Sequence, residues 1–463
     1  MTLKKLILTL FFVLCTLAVL VADSSSENIE DAEEKTQFEE RREKISYGLD
    51  SEIEAMIDEI IKDGEFEYGD DFFALFSSTR NQKLKTKIFD YCIAAKDNHL
   101  MTYALDILKD PMDEKRSMVN KVFEYVSALE IKEAREPVLN LLFEEDGSYV
   151  ESAAKVIGKI GAAEDSAQLA EMLDSAVSEN TKLYLISALG ELNAVQSVST
   201  IVELAKDTSE PTSVRMAAAE ALGGIESPEA VNALITIYED SDANVRVSVI
   251  KALSKKTDEN SKNLIISAVK DSFYKVRLAA LQAVIDQNIT DASSVVLYRA
   301  KNDAENVVKH KSYETLSAIH SAEGIWYLLN VIEDKKKSET DRAKAAAVLL
   351  KYNFDSSIEP VKSVARETLD DKRLIKLRYA IDKELAKYTN PAIEDICAAY
   401  IISDDVATKG TALDMFEKNN FESLRPLVEV MSVDDKEGTN KKKAKNVLDR
   451  IERNGVSAVS RIE

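Results

Sequence analysis

The sequence predicts an all-α chain of stacked helix pairs, and three observations carry that prediction. An apolar pattern returns about every 32 positions, its spacing within each copy is helical, and punctuation is sparse, with 13 Gly and 7 Pro in 463 residues. Self-similarity at this period marks a solenoid, in which each unit hides its apolar face against its neighbours.

The clearest copies lie between residues 137 and 290, and the strongest single stretch is VRMAAAEALGGIESPEAVNALITIYED, residues 214–240. With Arg215 as the marker of one copy, the matching positions are Lys85, Arg116, Val150, Lys182, Arg215, Arg246, Arg277, Lys309, Arg342, Arg373, Lys409 and Lys441. All but Val150 are basic. The first two and last three copies are degenerate.

Each copy holds two amphipathic helices. The first reads Val231, Leu234, Ile235, Tyr238, which is i, i+3, i+4, i+7 and hence one helical face. The second carries Val214, Ala217, Ala218, Ala221, Leu222 and Ile225 over three turns, echoed by Val276, Ala279, Ala280, Ala283 and Val284. Its alanines let the next backbone approach closely, while Leu and Ile fill the edges. Ser227-Pro228-Glu229 and Thr389-Asn390-Pro391 read as helix starts, a cap residue before Pro at the first helical position. Gly158, Gly190 and Gly223 are expected just past the second helix, where the chain turns.

The Val-Arg-x-Ala-Ala-x-x-Ala-Leu-Gly run at 214–223, followed by Ser-Pro-Glu-Ala-Val at 227–231, resembles the HEAT-repeat family, in particular the bacterial HEAT-like repeats of phycobilin lyases. The resemblance covers roughly residues 68–453. It implies a right-handed α-solenoid of 11–13 stacked HEAT-like repeats, with the second helices lining a concave side where extended partners bind. An Asp recurs six residues before the basic marker, at Asp240 with Arg246, Asp271 with Arg277, Asp303 with Lys309 and Asp435 with Lys441. In the family such residues form a ladder of inter-repeat hydrogen bonds. A basic stripe gripping an acidic ligand is the competing expectation, weakened because each base has an acid in register.

The ends are different in kind. Lys4 and Lys5 precede an uncharged run from Leu6 to Ala22, and Asp23 and three serines follow. A positive start, an apolar middle and a small residue before a polar beginning predict a secretory signal peptide over 1–22. An uncleaved anchor is the alternative, because Leu20 is a less favoured residue near the cleavage point. Seventeen apolar residues only just span a bilayer. Cys15 is a poor lipid acceptor, since seven further apolar or small residues follow it. Residues 23–50 carry ten acids against four bases and almost nothing apolar, so a flexible or loosely helical acidic tether is expected there.

A capping helix is expected to start at Ser51, with Glu54 completing a capping box and Ile53, Met56, Ile57, Ile60 and Ile61 as its stripe. The domain reading is thus 1–22 leader, 23–50 tether, 51–453 solenoid and 454–463 tail. Asp63–Asp71 is acid-rich but lacks the Gly-centred spacing of a calcium loop. Lys441-Lys442-Lys443-Ala444-Lys445 gives the last helix the polar outer face that a terminal repeat needs.

Charge bounds the partners. Without the leader the chain has 58 Lys and Arg (60 less Lys4 and Lys5) against 82 Asp and Glu, a net charge near −24. Such a surface repels phosphate backbones and anionic lipid heads, which argues against nucleic acid and against membrane insertion beyond the leader. Cys92 and Cys397 sit far apart in a rod on the order of 100 Å long, given pairs packed about 8–10 Å apart, so a disulfide between them is excluded.

Chemistry-bearing motifs are scarce. His99, His310 and His320 form no His-Glu or His-x-x-x-His pairing, and the repeated His-Glu dipeptides of HEAT-type di-iron hydroxylases do not occur. His310 and His320 are expected in one helix. No Gly-x-Ser-x-Gly elbow or phosphate-cradling Gly-rich loop is found. No catalytic residue, cofactor or metal is therefore assigned, and the repeat alone carries no lyase chemistry.

The function expected is a non-catalytic scaffold, exported to the periplasm or cell envelope, monomeric, that presents a curved acidic surface to another protein. The alternatives are an envelope enzyme or enzyme subunit using carboxylates, and a membrane-tethered spacer. Candidate partner-binding residues are Phe273, Tyr274, Tyr313, Trp326 and Tyr327, because aromatic side chains dominate interface energetics. Trp326 opens a first helix, where packing into the adjacent repeat competes with exposure. Phe273 and Tyr274, in an inter-helix turn, are the better candidates for exposed contact.

Overall fold

A computed structural model of the protein describes residues 36–144, 147–239 and 242–459, with side chains to residue 453. The expected leader over 1–22, the tether to residue 35 and the ladder residue Asp240 lie outside the described residues. Among the described residues the regular structure is helical throughout, 26 α-helices with eight short 3-10 turns and no strand.

The chain divides into two units, residues 1–162 and 163–463. The first holds α1 (Gln37–Tyr47), α2 (Asp50–Asp63), α3 (Gly69–Ser78), α4 (Gln82–Ala95), α5 (Met101–Lys109), α6 (Arg116–Leu129), α7 (Arg135–Leu142) and α8 (Val150–Ile160). The second begins with α9 (Ser166–Ser175), α10 (Glu179–Glu191), α11 (Val198–Lys206), α12 (Thr212–Gly224), α13 (Pro228–Ile237), α14 (Ala243–Leu253), α15 (Glu259–Ala268), α16 (Tyr274–Asp286) and α17 (Ser293–Asn302). It continues with α18 (Asn306–Ala318), α19 (Ala322–Glu333), α20 (Glu339–Tyr352), α21 (Phe354–Asp370), α22 (Ile375–Leu385), α23 (Glu394–Ile401), α24 (Val406–Asn419), α25 (Arg425–Val433) and α26 (Thr439–Val459).

Odd and even helices alternate as the first and second members of a pair, four pairs in the first unit and nine in the second. Each even helix packs on its odd partner and, within its unit, on the next even helix. Within each unit the core is therefore the seam between successive second helices. On α12 the seam is Val214, Ala218, Ala221, Leu222 and the following Ile225, all buried, with Ala217 half-buried at the edge. On α13 the buried face is Ala230, Leu234 and Ile237, so the helix is turned slightly from the expected Val231–Tyr238 stripe.

Local signals decide the starts. Ser227 accepts the Ala230 N–H at 3.1 Å with Pro228 in the first turn, and Asn390 accepts the Ala392 N–H at 2.8 Å. α2 begins at Asp50, one residue earlier than expected, and Glu52, not Glu54, reaches back to the Leu49 N–H at 3.0 Å. Glu54 is buried and pairs with Lys83 at 2.5 Å, so its charge serves the next pair and not the cap.

Turning is not left to Gly158, Gly190 and Gly223, which lie inside α8, α10 and α12, all three buried. A Cβ on Gly190 would stand 2.8 Å from Ala221 Cα, and one on Gly223 would stand 2.8 Å from Ala252 Cα. For Gly190 and Gly223 the role is backbone approach between second helices. The left-handed residues that end second helices are Gly64 on α2, with φ 75°, and the non-glycines Lys96, Glu130, Asn193, Asn288, His320 and Asn420, with φ between 49° and 54°.

The acidic segment departs from its composition. Residues 37–47 form α1, which Thr36 caps, and it buries Ile45 and Arg41. Arg41 pairs with Asp63 at 3.0 Å and with Glu65, Arg42 pairs with Asp71 at 2.9 Å, and Phe38 stacks on Tyr68. Two arginines thus pair with three of the five acids of stretch 63–71, which favours ordering this part of the expected tether.

Candidate protein-interaction surface

The basic markers sit near the start of each second helix, where the chain enters from the inter-helix turn. From there Arg246 reaches Asp271 at 2.8 Å and Arg277 reaches Asp303 at 2.8 Å, each acid belonging to the following pair. Lys182–Glu210 at 2.5 Å, Arg342–Glu367 at 3.3 Å and Lys409–Glu437 at 2.6 Å continue the arrangement. Burial alone would raise the Asp271 pKa, but bonds from Arg246, the Phe273 N–H and Tyr238 hold it below the usual aspartate value. The rungs are charge-assisted and mostly enclosed, so they specify how one pair sits on the next.

Two assignments shift. Lys309 does not reach Asp303, whose carboxylate faces Arg277 and Arg299; its ammonium lies 3.4 Å from Asn306 Oδ1. The neighbouring His310 makes that pair's rung, to Asp341 at 2.8 Å. Arg373 is exposed and closes on Asp371 in a 3-10 turn, while Arg378 occupies the buried marker position on α22. The 17-residue α21, longer than the other first helices, moves the register by five positions.

The aromatic candidates do not share one face. Tyr313 is buried, 1 % exposed, so it is a core residue and not an anchor. Its ring meets Tyr327, which is half-buried and donates to the Ala300 carbonyl at 3.3 Å. Phe273 and Tyr274 are half-buried against each other, and Phe273 is tied down by its N–H to Asp271. Trp326 is the exposed one, at 68 %, because α19 turns Leu328, Val331 and Ile332 inward. Tyr298 on the preceding first helix, 58 % exposed, was not singled out by the sequence. Its place midway between the buried Val296 and Ala300 of α17, two residues from each and so on the opposite side of the helix, is the signal that could have found it.

The reactive side chains are engaged. Cys92 and Cys397 are buried free thiols whose pKa burial pushes up to about 12. His99 lies between Asp97 at 2.5 Å and Asp70 at 3.1 Å, and the Asp97 hydrogen bond raises its pKa. His320 is past the end of α18, not in one helix with His310, and its ring meets Asn353 at 2.9 Å. Among the described residues no cluster of three His, Cys, Asp or Glu is arranged to hold a metal, and no helix is long and apolar enough to cross a membrane.

The phycocyanin lyase complex of CpcE and CpcF from Nostoc sp. PCC7120 is similar at 16 % identity over 47 % of this chain and 94 % of that one, with a TM-score of 0.30. The karyopherin Kap121p, in a complex with the extreme C-terminus of the phosphatase Cdc14p, is similar at 11 % identity and a TM-score of 0.45; 93 % of this chain covers 56 % of that one. Human deoxyhypusine hydroxylase is similar at 14 % identity over 57 % of this chain and 99 % of that one, with a TM-score of 0.26. No curated protein of known function matches the sequence. A family model described as the spirochaete HEAT repeat protein matches residues 45–447, and with that span covered the chain belongs to the spirochaete HEAT repeat proteins.

Proposed function

We propose that this protein is an exported, non-catalytic scaffold of the cell envelope, with a solvent-facing acidic helical surface that binds another protein. The observation that carries the reading is Trp326. A large aromatic side chain is left 68 % exposed on a first helix whose other apolar residues are turned inward. Trp is among the residues that most often dominate binding energy, so Trp326 is the anchor this reading assigns to a partner. The fate of the reactive groups supports the non-catalytic part, since the thiols are enclosed and the imidazoles bond to neighbouring acids or amides. The leader over 1–22 and the net charge of −22 support the envelope and the protein partner over nucleic acid.

Affinity capture from envelope extracts tests the reading. The parent protein is expected to retain one partner near equimolar amounts, and Trp326→Ala to retain about tenfold less. No partner in any fraction, or equal recovery by the variant, would overturn it.

A further inference from the structure

Arg378 breaks the ladder. At Arg246 and Arg277 the marker cation finds a carboxylate of the following pair, 25 residues on for Asp271 and 26 for Asp303. In the register six residues before the next marker, where Asp271 precedes Arg277 and Asp303 precedes Lys309, the residue before Lys409 is Ser403, with Asp404 one position further on. A hydroxymethyl group stands where a carboxylate is needed.

The consequence is visible in the structure. Arg378 is 4 % exposed, yet it makes no hydrogen bond or ion pair among the described residues, and its Nε is enclosed without a partner. The Asp405 carboxylate in front of it is already taken, by the Thr408 N–H at 2.8 Å and the Tyr379 hydroxyl at 3.1 Å. The Asp382 and Asp405 carboxylates act on Arg378 through space without a hydrogen bond to it. A guanidinium so nearly closed off with no bonded acceptor is costly, and an acceptor entering from the solvent side would relieve it.

Space for one exists. Arg378 lines a cleft of about 560 Å³ between the α22 and α24 ends of their pairs, with Leu369, Ile375 and Ile402 as its apolar wall and Lys372 beside them. Ile402 is 70 % exposed and Ile375 36 %. The segment entering α22 carries Lys372, Arg373, Lys376 and Arg378, a local concentration of positive charge on a chain of net −22. Asp404 and Asp405 also line the cleft, which disfavours a run of acids or a polyanion.

We propose that this cleft receives a single Asp or Glu side chain of a partner protein, flanked by an aliphatic residue, and that the carboxylate completes the missing rung on Arg378. The aliphatic neighbour packs on Ile375 and Ile402. The proposal names the partner chemistry and so rests on the scaffold reading above. Lys372 adds a second cation at the rim, and the planar guanidinium holds the carboxylate by a fork of two bonds.

The test is saturation-transfer NMR on the full chain with the peptide acetyl-Leu-Glu-Leu-amide, its Gln counterpart and free 4-methylpentanoate. The Glu peptide is expected to give methyl signals at least fivefold above the Gln peptide. Arg378→Met should remove them without lowering the melting temperature, because a charge enclosed without a partner goes with it. Ser403→Asp should also remove them while raising the melting temperature, since the rung is then filled from within. Equal signals from the Gln peptide, binding that survives Arg378→Met, or a Ser403→Asp variant that binds as the parent does would overturn the proposal. Signals from 4-methylpentanoate alone would overturn the peptide partner in favour of a small acid. Recovery of a stoichiometric partner by Arg378→Met would leave the scaffold reading standing and sink only this site.

Discussion

Arg277 and Asp303 meet at 2.8 Å across two consecutive helix pairs, with the Asp303 side chain fully enclosed. The same guanidinium donates to the Asp271 and Ser272 carbonyls, so one side chain ties its own turn to the next pair. Removing Asp303 leaves Arg277 only its two carbonyls, and removing Arg277 leaves the enclosed Asp303 carboxylate Arg299 alone as a cation, at 3.6 Å.

Arg277→Met is therefore expected to destabilise α16 and its neighbours by about 3 kcal/mol or more, the usual cost of breaking an enclosed ion pair. Asp303→Leu alone should cost a similar amount. The double variant should cost clearly less than the sum, and chemical denaturation of the four proteins of the cycle reads the difference. Additive losses would mean the two side chains do not depend on each other.

Gly190→Ala sets propensity against packing. Alanine favours a helix over glycine by about 1 kcal/mol, yet a Cβ at this position would stand 2.8 Å from Ala221 Cα. Overpacking of this kind costs about 1–3 kcal/mol, so packing wins and the melting temperature falls. A rise would show that the second helices have room to separate.

Leu222→Asp places a charge in the seam of α12, where the parent residue is 0 % exposed. A loss of roughly 3 kcal/mol or more is expected. Because repeats couple mainly to their neighbours, hydrogen exchange should speed up most in α10, α12 and α14 and less in distant pairs. Uniform acceleration would contradict nearest-neighbour coupling.

Two carboxyls predict opposite pH responses. Burial pushes the Asp382 pKa up to about 6, although Thr408 donates to it at 3.1 Å. Between the unfolded value near 4 and about 6 the folded state keeps a proton that the unfolded chain has lost, so stability declines as pH rises through that window. Asp382→Asn should remove the decline and stabilise α22 at pH 7 by about 3 kcal/mol, read by local hydrogen exchange. Burial would also raise Glu314, but bonds from Lys311, Lys351 and Tyr352 override it and hold the carboxyl at about 2. Its contribution is fully present above the unfolded value near 4.5 and is lost as pH falls toward 2. Glu314→Gln should weaken that acid-side loss and cost stability at neutral pH.

How much of this could be read from the sequence depended on how local the cause was. Helix spacing and the Ser227 cap arise within a few residues, and the stripes on α12 and α16 follow from them. The role of Gly190 did not, because the same residue serves a turn or a close approach, and only Ala221 on the next pair decides which. Arg373 passed for a marker because the length of α21 is not written in a period. α1 looked like an acidic tether because its stabilising contacts, Asp63 and Asp71, lie more than twenty residues away. Exposure was hardest of all: Trp326 and Tyr313 are both aromatic residues on helices, and a half-turn of rotation separates a surface from a core.

The claim at the centre is that the outer face of the helix pairs works by contact. The most direct measurement replaces Trp326 with a photoreactive phenylalanine in the full chain, irradiates the cells that make it and resolves the products by mass. The account predicts one dominant adduct with a single other protein, absent when the same group is placed at the enclosed Leu328. Folded protein that yields no adduct at position 326, or only a diffuse ladder of unrelated ones, would contradict it.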